Sequence, residues 1–287
     1  MRALRADQWG KNLLVFAGLI FGQRLRHTPS VVTSVFAFAV FCLLSSAVYL
    51  INDVADRDAD RKHPLKSKRP IASGRLSVRS ALVAATVLCV AALSAALRIG
   101  WEFAAVSATY LTLMTLYSTV LKHQVIIDAL AVSGGFVLRA LGGAVAIGVP
   151  FSHWLLLLTL LLALFLTLGK RRAEIVALED YASMHRPALA HYSPALLDQL
   201  LAIVTASTLL AYAFYTISAE TLARFGTDRL LFTLPLPMYG LFRYLYLVHL
   251  RGGGGNPSEH LFSDRPLLVC VGLWALAVVT IIYGPWR

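Results

Sequence analysis

The sequence predicts an all-α integral membrane protein of nine transmembrane helices, and three observations carry that prediction. The 287 residues are 58% hydrophobic and 14% charged, with a mean hydropathy of +0.69, whereas soluble domains carry about 25% charged residues. Long apolar stretches recur, each near the roughly 20 residues that a helix needs to cross the hydrocarbon. Their pattern is helical, not the ten-residue alternation of an outer-membrane barrel.

Taken in order, the spans are expected near residues 9–25, 31–51, 80–98, 101–120, 125–147, 152–169, 196–217, 229–249 and 266–284. The first is short. It opens with Trp9, Lys11 and Asn12, and its apolar core runs from Leu13 to Phe21. No small-residue cleavage site follows it; Gln23, Arg24 and Arg26 do, so it reads as a retained span, not a cleaved leader. Trp9 suits an interfacial anchor, and Lys11 and Asn12 are candidates to turn inward. The second span, 31–51, runs straight into an acidic and then a basic stretch. The third and fourth are joined by a short link. The fifth holds Asp128 and Arg139, and the sixth ends in Lys170, Arg171 and Arg172. The last three carry little charge, and Gly252 to Gly255 between the final two reads as a flexible loop. The expected organisation is a single polytopic domain, 1–287, with active-site loops near 52–79 and 170–195. Cys42, Cys89 and Cys270 each lie in an apolar run without a CxxC pair, which excludes a thiolate metal site and a disulfide framework.

The net charge is +11. In a soluble chain this would suggest nucleic acid. Here the bases lie between spans, so membrane orientation and anionic lipid account for them, and no nucleic-acid partner is expected. With the N-terminus inside, nineteen of the 26 Lys and Arg fall on the inner side against six outside. The positive-inside rule then places the N-terminus and the chemistry on the cytoplasmic face of the inner (plasma) membrane.

The chemistry concentrates at Asn52-Asp53-Val54-Ala55-Asp56-Arg57-Asp58-Ala59-Asp60, where four of the fifteen carboxylates fall within eight residues. On one helix, Asp53, Asp56 and Asp60 share a face with Asn52 near Asp56, while Asp58 points elsewhere. Like charges on one face repel unless a cation neutralises them. Carboxylates at this spacing suit Mg²⁺, which takes hard oxygen ligands and leaves positions for substrate phosphates. The alternative is a solvated helix end whose acids pair with Arg57, Arg61 and Lys62. Behind the acids stand Arg61, Lys62, Lys66, Lys68 and Arg69; some suit phosphates, and ordinary inside charge accounts for others. Tyr117, Lys122, Asp128 and Arg139 form a further group. Asp128 and Arg139 are three turns apart on one helical face, and a charge inside a span marks a cavity unless it is a structural ion pair. Gly134, Gly135, Gly142 and Gly143 beside them suit close helix packing as well as a ligand. Lys170, Arg171 and Arg172 suit a phosphate clamp or an anchor. Glu174, Glu179 and Asp180 do not repeat the Asp53/Asp56/Asp60 spacing. Tyr192 is a further phosphate-contact candidate. The histidines, among them His63, His123, His153, His185, His191, His249 and His260, show no ligand spacing. An acidic-basic loop follows both the second and the sixth span, a weak internal echo. If the halves are pseudo-symmetric, the two loops would face one cavity.

The motif NDxxDxxxD after the second span resembles the UbiA superfamily of intramembrane prenyltransferases. Gln8 to Phe16 (QWGKNLLVF), Lys66 to Gly74 (KSKRPIASG), Gly135 to Ala140 (GFVLRA) and Gly169 to Glu174 (GKRRAE) are similar to one branch of it, the decaprenyl-phosphate phosphoribosyltransferases of cell-wall arabinan synthesis. The likeness runs from about residue 7 to residue 200. It implies helices around a central cavity open to the cytoplasm and to lipid. It also implies Mg²⁺-dependent transfer of 5-phosphoribosyl from 5-phosphoribosyl diphosphate to a polyprenyl (decaprenyl) monophosphate, with release of diphosphate. On that resemblance Asn52, Asp53, Asp56 and Asp60 would hold the metal and diphosphate. Lys11, Asn12, Lys62, Lys66, Arg69, Tyr117, Lys122, Asp128, Arg139, Lys170, Arg171, Arg172 and Tyr192 would line the substrates. Aromatic prenyltransferases carry a second acidic motif after the sixth span, and this chain has KRRAE there. An aromatic prenyltransferase using a polyprenyl diphosphate stays the alternative within the fold. A transporter or lipid-binding protein would need charge spread along a path through the bilayer. The oligomeric state is open, a homo-oligomer included.

Overall fold

Capping residues mark where the long helices begin. His27 Nδ1 accepts from the Ser30 amide at 3.3 Å, Ser77 Oγ from that of Ser80 at 3.0 Å, Ser193 Oγ from that of Leu196 at 3.1 Å and Asp264 Oδ1 from that of Leu267 at 3.0 Å. Each satisfies one of the orphan amides of a first turn. Three of the four helices also carry proline at a first-turn position, where no amide donor is missed.

The computed structural model describes residues 2–62, 66–150, 152–177, 192–250 and 264–284, and among them no strand occurs. The α-helices are α1 Ala17–Phe21, α2 Thr28–Ala55, α3 Arg57–Lys62, α4 Val78–Ile99, α5 Trp101–Thr119, α6 Ile127–Ala146, α7 His153–Ala177, α8 Pro194–Ile217, α9 Ala219–Phe225, α10 Pro235–Leu250 and α11 Arg265–Tyr283. Seven of the described helical stretches are long and apolar enough to cross a membrane: 28–55, 78–99, 127–146, 153–176, 194–217, 229–249 and 265–283. Leu82, Val83, Val87, Val90 and Leu97 of α4 are exposed, an apolar face that suits lipid and not water.

The nine expected spans are therefore not all matched. Span 101–120 forms as α5, but Glu102, Ser107, Thr109, Thr112, Thr115, Ser118 and Thr119 make it less apolar than the seven. Span 9–25 does not form as one continuous α-helix. Ala6–Phe16 is 3₁₀ helix, followed by the five residues of α1. Such long 3₁₀ runs are uncommon, and tertiary contacts hold this one. Asn12 is fully buried, and a β-carbon on Gly143 would lie 1.8 Å from the Val15 carbonyl oxygen. Only a glycine on α6 admits the 3₁₀ backbone so closely.

The chain forms two compact units, Met1–Phe151 and Ser152–Arg287. In the first, α2 packs on α4 and α5, and α6 packs on α5 and on the 3₁₀ segment. Its core gathers Val15, Phe41, Leu44, Phe103 and Tyr110. The Phe41 ring meets Tyr110 and Phe103 edge-on at 5.3 and 5.9 Å, the geometry aromatic quadrupoles favour. In the second unit α7 packs along α8, and α10 packs on α11. Arg243 spans α10 and α11 with two bonds to Asp264, at 2.8 and 3.2 Å.

Candidate active site

The acidic cluster sits where α2 stops. Val54 and Ala55 complete the helix, Asp56 takes up φ −91°, ψ 2°, and α3 starts at Arg57. The expected single-face stripe is thus interrupted, and burial separates its members. Asp53 and Asp60 are 2% and 4% exposed, Asp56 is half-buried, and Asp58 is exposed with Arg61 at 3.8 Å. Buried carboxylates demand compensating charge, and the first unit supplies it. Arg69 Nη1 donates to Asp60 at 2.6 Å and to Asp53 at 3.3 Å, so both acids converge on a single nitrogen. Arg5, from a residue in the left-handed backbone region (φ 49°), donates to the same Asp53 oxygen. It also stacks 4.8 Å over Tyr49. Lys122 donates to Asp56 Oδ1, and Asn52 Nδ2 to Asp56 Oδ2 at 3.0 Å. Arg61 Nε is bound to the Ala72 carbonyl at 3.2 Å, which folds the 66–77 turn back on α3. Lys62 is exposed and Lys66 half-buried.

No three acids, histidines or cysteines among the described residues stand close enough to cage a metal by themselves. Mg²⁺ does not require a cage: one or two carboxylates, completed by water and substrate phosphates, suffice. Asp53 and Asp60 are such a pair of hard oxygen donors, and the residues fit a divalent ion on that ground.

A second constellation lies deeper in the unit. Arg139 is 5% exposed. It donates through Nε to Asn12 Oδ1 at 2.7 Å, through Nη1 to the Gly135 carbonyl at 2.9 Å and through Nη2 to the Tyr110 hydroxyl at 2.7 Å. The guanidinium lies over the Tyr110 and Phe136 rings at 4.7 and 5.1 Å. Asn12 Nδ2 continues the chain to Ser45 Oγ at 3.2 Å and Cys42 Sγ at 3.3 Å. Arg139 and Asn12, both expected to line substrate, bind protein groups in the structure. They join α6, α5, α2 and the 3₁₀ segment. Asp128 is buried as well, at 1%. Tyr117 is half-buried near the end of α5. Trp9 is held by Ser46 Oγ at 3.1 Å and is more than an interfacial anchor. Of the four glycines, Gly142 faces Phe41 and Gly143 the Val15 carbonyl, so packing accounts for them.

The second unit holds Lys170, Arg171, Arg172 and Tyr192. The three bases lie inside α7, not beyond its end, and consecutive helical positions point them apart. Arg171, 3% exposed, donates to Glu174 at 3.0 Å, and Lys170 lies 3.9 Å from the same residue. Arg172 donates to Asp198 at 2.6 Å and to the Val248 carbonyl at 3.2 Å. The structure thus ties Arg171 and Arg172 to separate acids. Tyr192 is buried. His63, Glu179, Asp180, His185, His191, His260 and Gly252 to Gly255 lie outside the described residues.

Sequence reasoning missed Arg5, Tyr49, Tyr110 and Asp198. Arg5 stands 48 residues from Asp53 and Tyr110 stands 29 from Arg139, and no local spacing links them. The one available signal was the cost of burial: a charged Arg139 inside a span must find oxygen partners.

Residues 13–263 match the model of the UbiA prenyltransferase family. The chain is similar to the decaprenyl-phosphate phosphoribosyltransferase of Corynebacterium glutamicum, 35% identical over 99% of this chain and 86% of that protein. It is also similar to the decaprenyl-phosphate phosphoribosyltransferase of Mycobacterium tuberculosis, 32% identical over 97% of this chain and 92% of that one. Among solved structures, a UbiA homolog from Archaeoglobus fulgidus bound to DMAPP and Mg²⁺ superposes with a TM-score of 0.72 at 20% identity, covering 99% and 98% of the two chains.

Proposed function

The chain belongs to the UbiA prenyltransferase family, and from that premise we propose that it transfers 5-phosphoribosyl from 5-phosphoribosyl diphosphate to a polyprenyl (decaprenyl) monophosphate, releasing diphosphate. The observation that carries the reading is identity of 32–35% over nearly the whole chain with proteins of that name, far beyond the acidic motif. The KRRAE sequence at the end of α7 accords with it, since an acceptor with one phosphate needs no second acidic motif.

In this mechanism Asp53, Asp60 and Asp56, with Asn52 orienting Asp56, would hold Mg²⁺, which when bound offsets charge developing on the departing diphosphate. Arg5, Arg69 and Lys122 neutralise those carboxylates in the structure, and their long side chains can turn to diphosphate oxygens once a metal shares the acids. Lys62 and Lys66 belong to the same α2–α4 connection as Arg69. The C1–O bond of the ribose breaks towards an oxocarbenium-like transition state. A lipid phosphate oxygen attacks from the opposite face, and the anomeric centre inverts. No strong general base is needed, because a phosphate monoester with a second pKa of about 6 is already largely a dianion near pH 7. Catalysis is then positioning and electrostatics away from water. The reading places the reaction at the cytoplasmic face of the inner membrane, within one polytopic protein, in the supply of cell-wall arabinan precursor.

The test is incubation of the purified chain with radiolabelled 5-phosphoribosyl diphosphate, decaprenyl phosphate and Mg²⁺. Labelled lipid is expected. A chain that leaves this donor unused and instead prenylates an aromatic acid overturns the reading.

A further inference from the structure

Arg5 reaches Asp53 across 48 residues, and one face of α2 receives it. Ser46, Tyr49 and Asp53 stand at i, i+3 and i+7, positions that share a helical face. Ser46 Oγ donates to the Leu4 carbonyl at 2.9 Å and so fixes the backbone next to Arg5. The guanidinium carbon of Arg5 then lies 4.8 Å from the centre of the Tyr49 ring, while Nη2 donates to Asp53 Oδ1. Arg5 itself takes φ 49°, ψ 52°, a left-handed conformation that a residue with a β-carbon keeps only where its surroundings dictate it. The Tyr49 hydroxyl makes no hydrogen bond among the described residues, so the ring face is what this residue contributes.

The direction of approach matters. A guanidinium and a carboxylate often pair as a fork that engages both oxygens. Here the bond is end-on, one nitrogen to one oxygen. Arg69 Nη1 meets the same Oδ1 at 3.3 Å and takes Asp60 through Oδ2 at 2.6 Å. Asp53 Oδ2 and Asp60 Oδ1 therefore accept no hydrogen bond among the described residues. Resting on the Mg²⁺-dependent function read above, we propose that Tyr49 is a positioning residue for the divalent ion: its ring seats Arg5 end-on, which fixes Asp53 by Oδ1 and keeps Oδ2 available to the ion. A ring face attracts the guanidinium without occupying a carboxylate oxygen. Without the ring Arg5 keeps its charge but loses its seat. It then closes on both oxygens and competes with the ion.

Tyr49→Leu removes the ring and Tyr49→Phe keeps it. The first measurement needs no turnover: the thermal shift of the purified full chain titrated with Mg²⁺. Tyr49→Leu is expected to raise the half-saturating Mg²⁺ concentration roughly three- to thirtyfold, the size of one cation–π contact, and Tyr49→Phe to titrate as wild type. The second measurement repeats the titration in an Arg5→Met background. There the effect of Tyr49→Leu should vanish, because the ring acts through Arg5; a ring that only fills space would move the titration equally in both backgrounds. An unchanged or tighter Mg²⁺ response in Tyr49→Leu, an equal effect with and without Arg5, or a Tyr49→Phe variant that behaves like Tyr49→Leu overturns the proposal. If Tyr49→Leu does not melt as one folded species, Tyr49→Met carries the same test. A wild-type chain that responds to Mg²⁺ but makes no ribosylated lipid sinks the proposed function instead, while the titration still reads Tyr49.

Discussion

At the scale of single residues, the site is a balance of buried charge. Asp53 and Asp60 share Arg69, and breaking a buried pair leaves an uncompensated charge that costs about 3–5 kcal/mol. Arg69→Met is therefore expected to lower the melting temperature of the purified protein sharply. If the carboxylates hold Mg²⁺, added Mg²⁺ stabilises this variant more than wild type, since the ion supplies the missing charge; equal Mg²⁺ shifts in the two proteins would contradict the assignment. Asp53→Asn keeps the shape and removes the charge. Its kcat/KM for transfer should fall at least about a hundredfold, because even indirect metal-site partners cost 10- to 100-fold, and initial rates over a range of Mg²⁺ concentrations check this. Arg139 behaves differently. Arg139→Leu strands Asn12, Tyr110 and the Gly135 carbonyl, and hydrogen bonds at membrane depth are worth about 1–2 kcal/mol each. Arg139→Lys should not rescue it, because an ammonium cannot span three fixed oxygens as the planar fork does; melting curves of both variants decide.

At the scale of elements, the 3₁₀ segment is the part that binds the rest. It reaches α2 through Trp9 and Asn12 and α6 through Arg139 and Gly143. Gly143→Val puts carbon where the Val15 carbonyl stands and must push the segment off α6. The expected outcome is a lower melting temperature together with loss of transfer, although the substitution touches no acid of the site. Retained activity at wild-type stability would show that the segment can shift without cost. The acidic motif was legible in the sequence as residues close along the chain. Its division into a buried Asp53 and Asp60 and a half-buried Asp56 was not, because the break at Asp56 and the return of the 66–77 turn through Arg61 and Ala72 are tertiary events.

At the scale of the whole molecule, α2 and α4 are successive spans, so the connection between them, with its exposed Lys62, Lys68 and Arg75, emerges at one membrane surface. The positive-inside bias predicts that this surface is cytoplasmic. A cysteine placed at exposed Ser73 should react with a membrane-impermeant maleimide in inverted vesicles and not in intact cells; the reverse labelling would invert the topology. The sequence by itself determined that the chain is a helical membrane protein, where most spans begin and end, and which acids and bases stand at the membrane boundary, because apolar length, caps and charge bias are local quantities. Only the tertiary structure decided that the first expected span opens as a 3₁₀ segment, that Arg139 meets Asn12, Tyr110 and the Gly135 carbonyl, that Arg171 and Arg172 turn to different acids, and that Arg5 meets Asp53. Each of those depends on which desolvated charge finds which partner across tens of residues, and that is settled by packing, not by spacing along the chain.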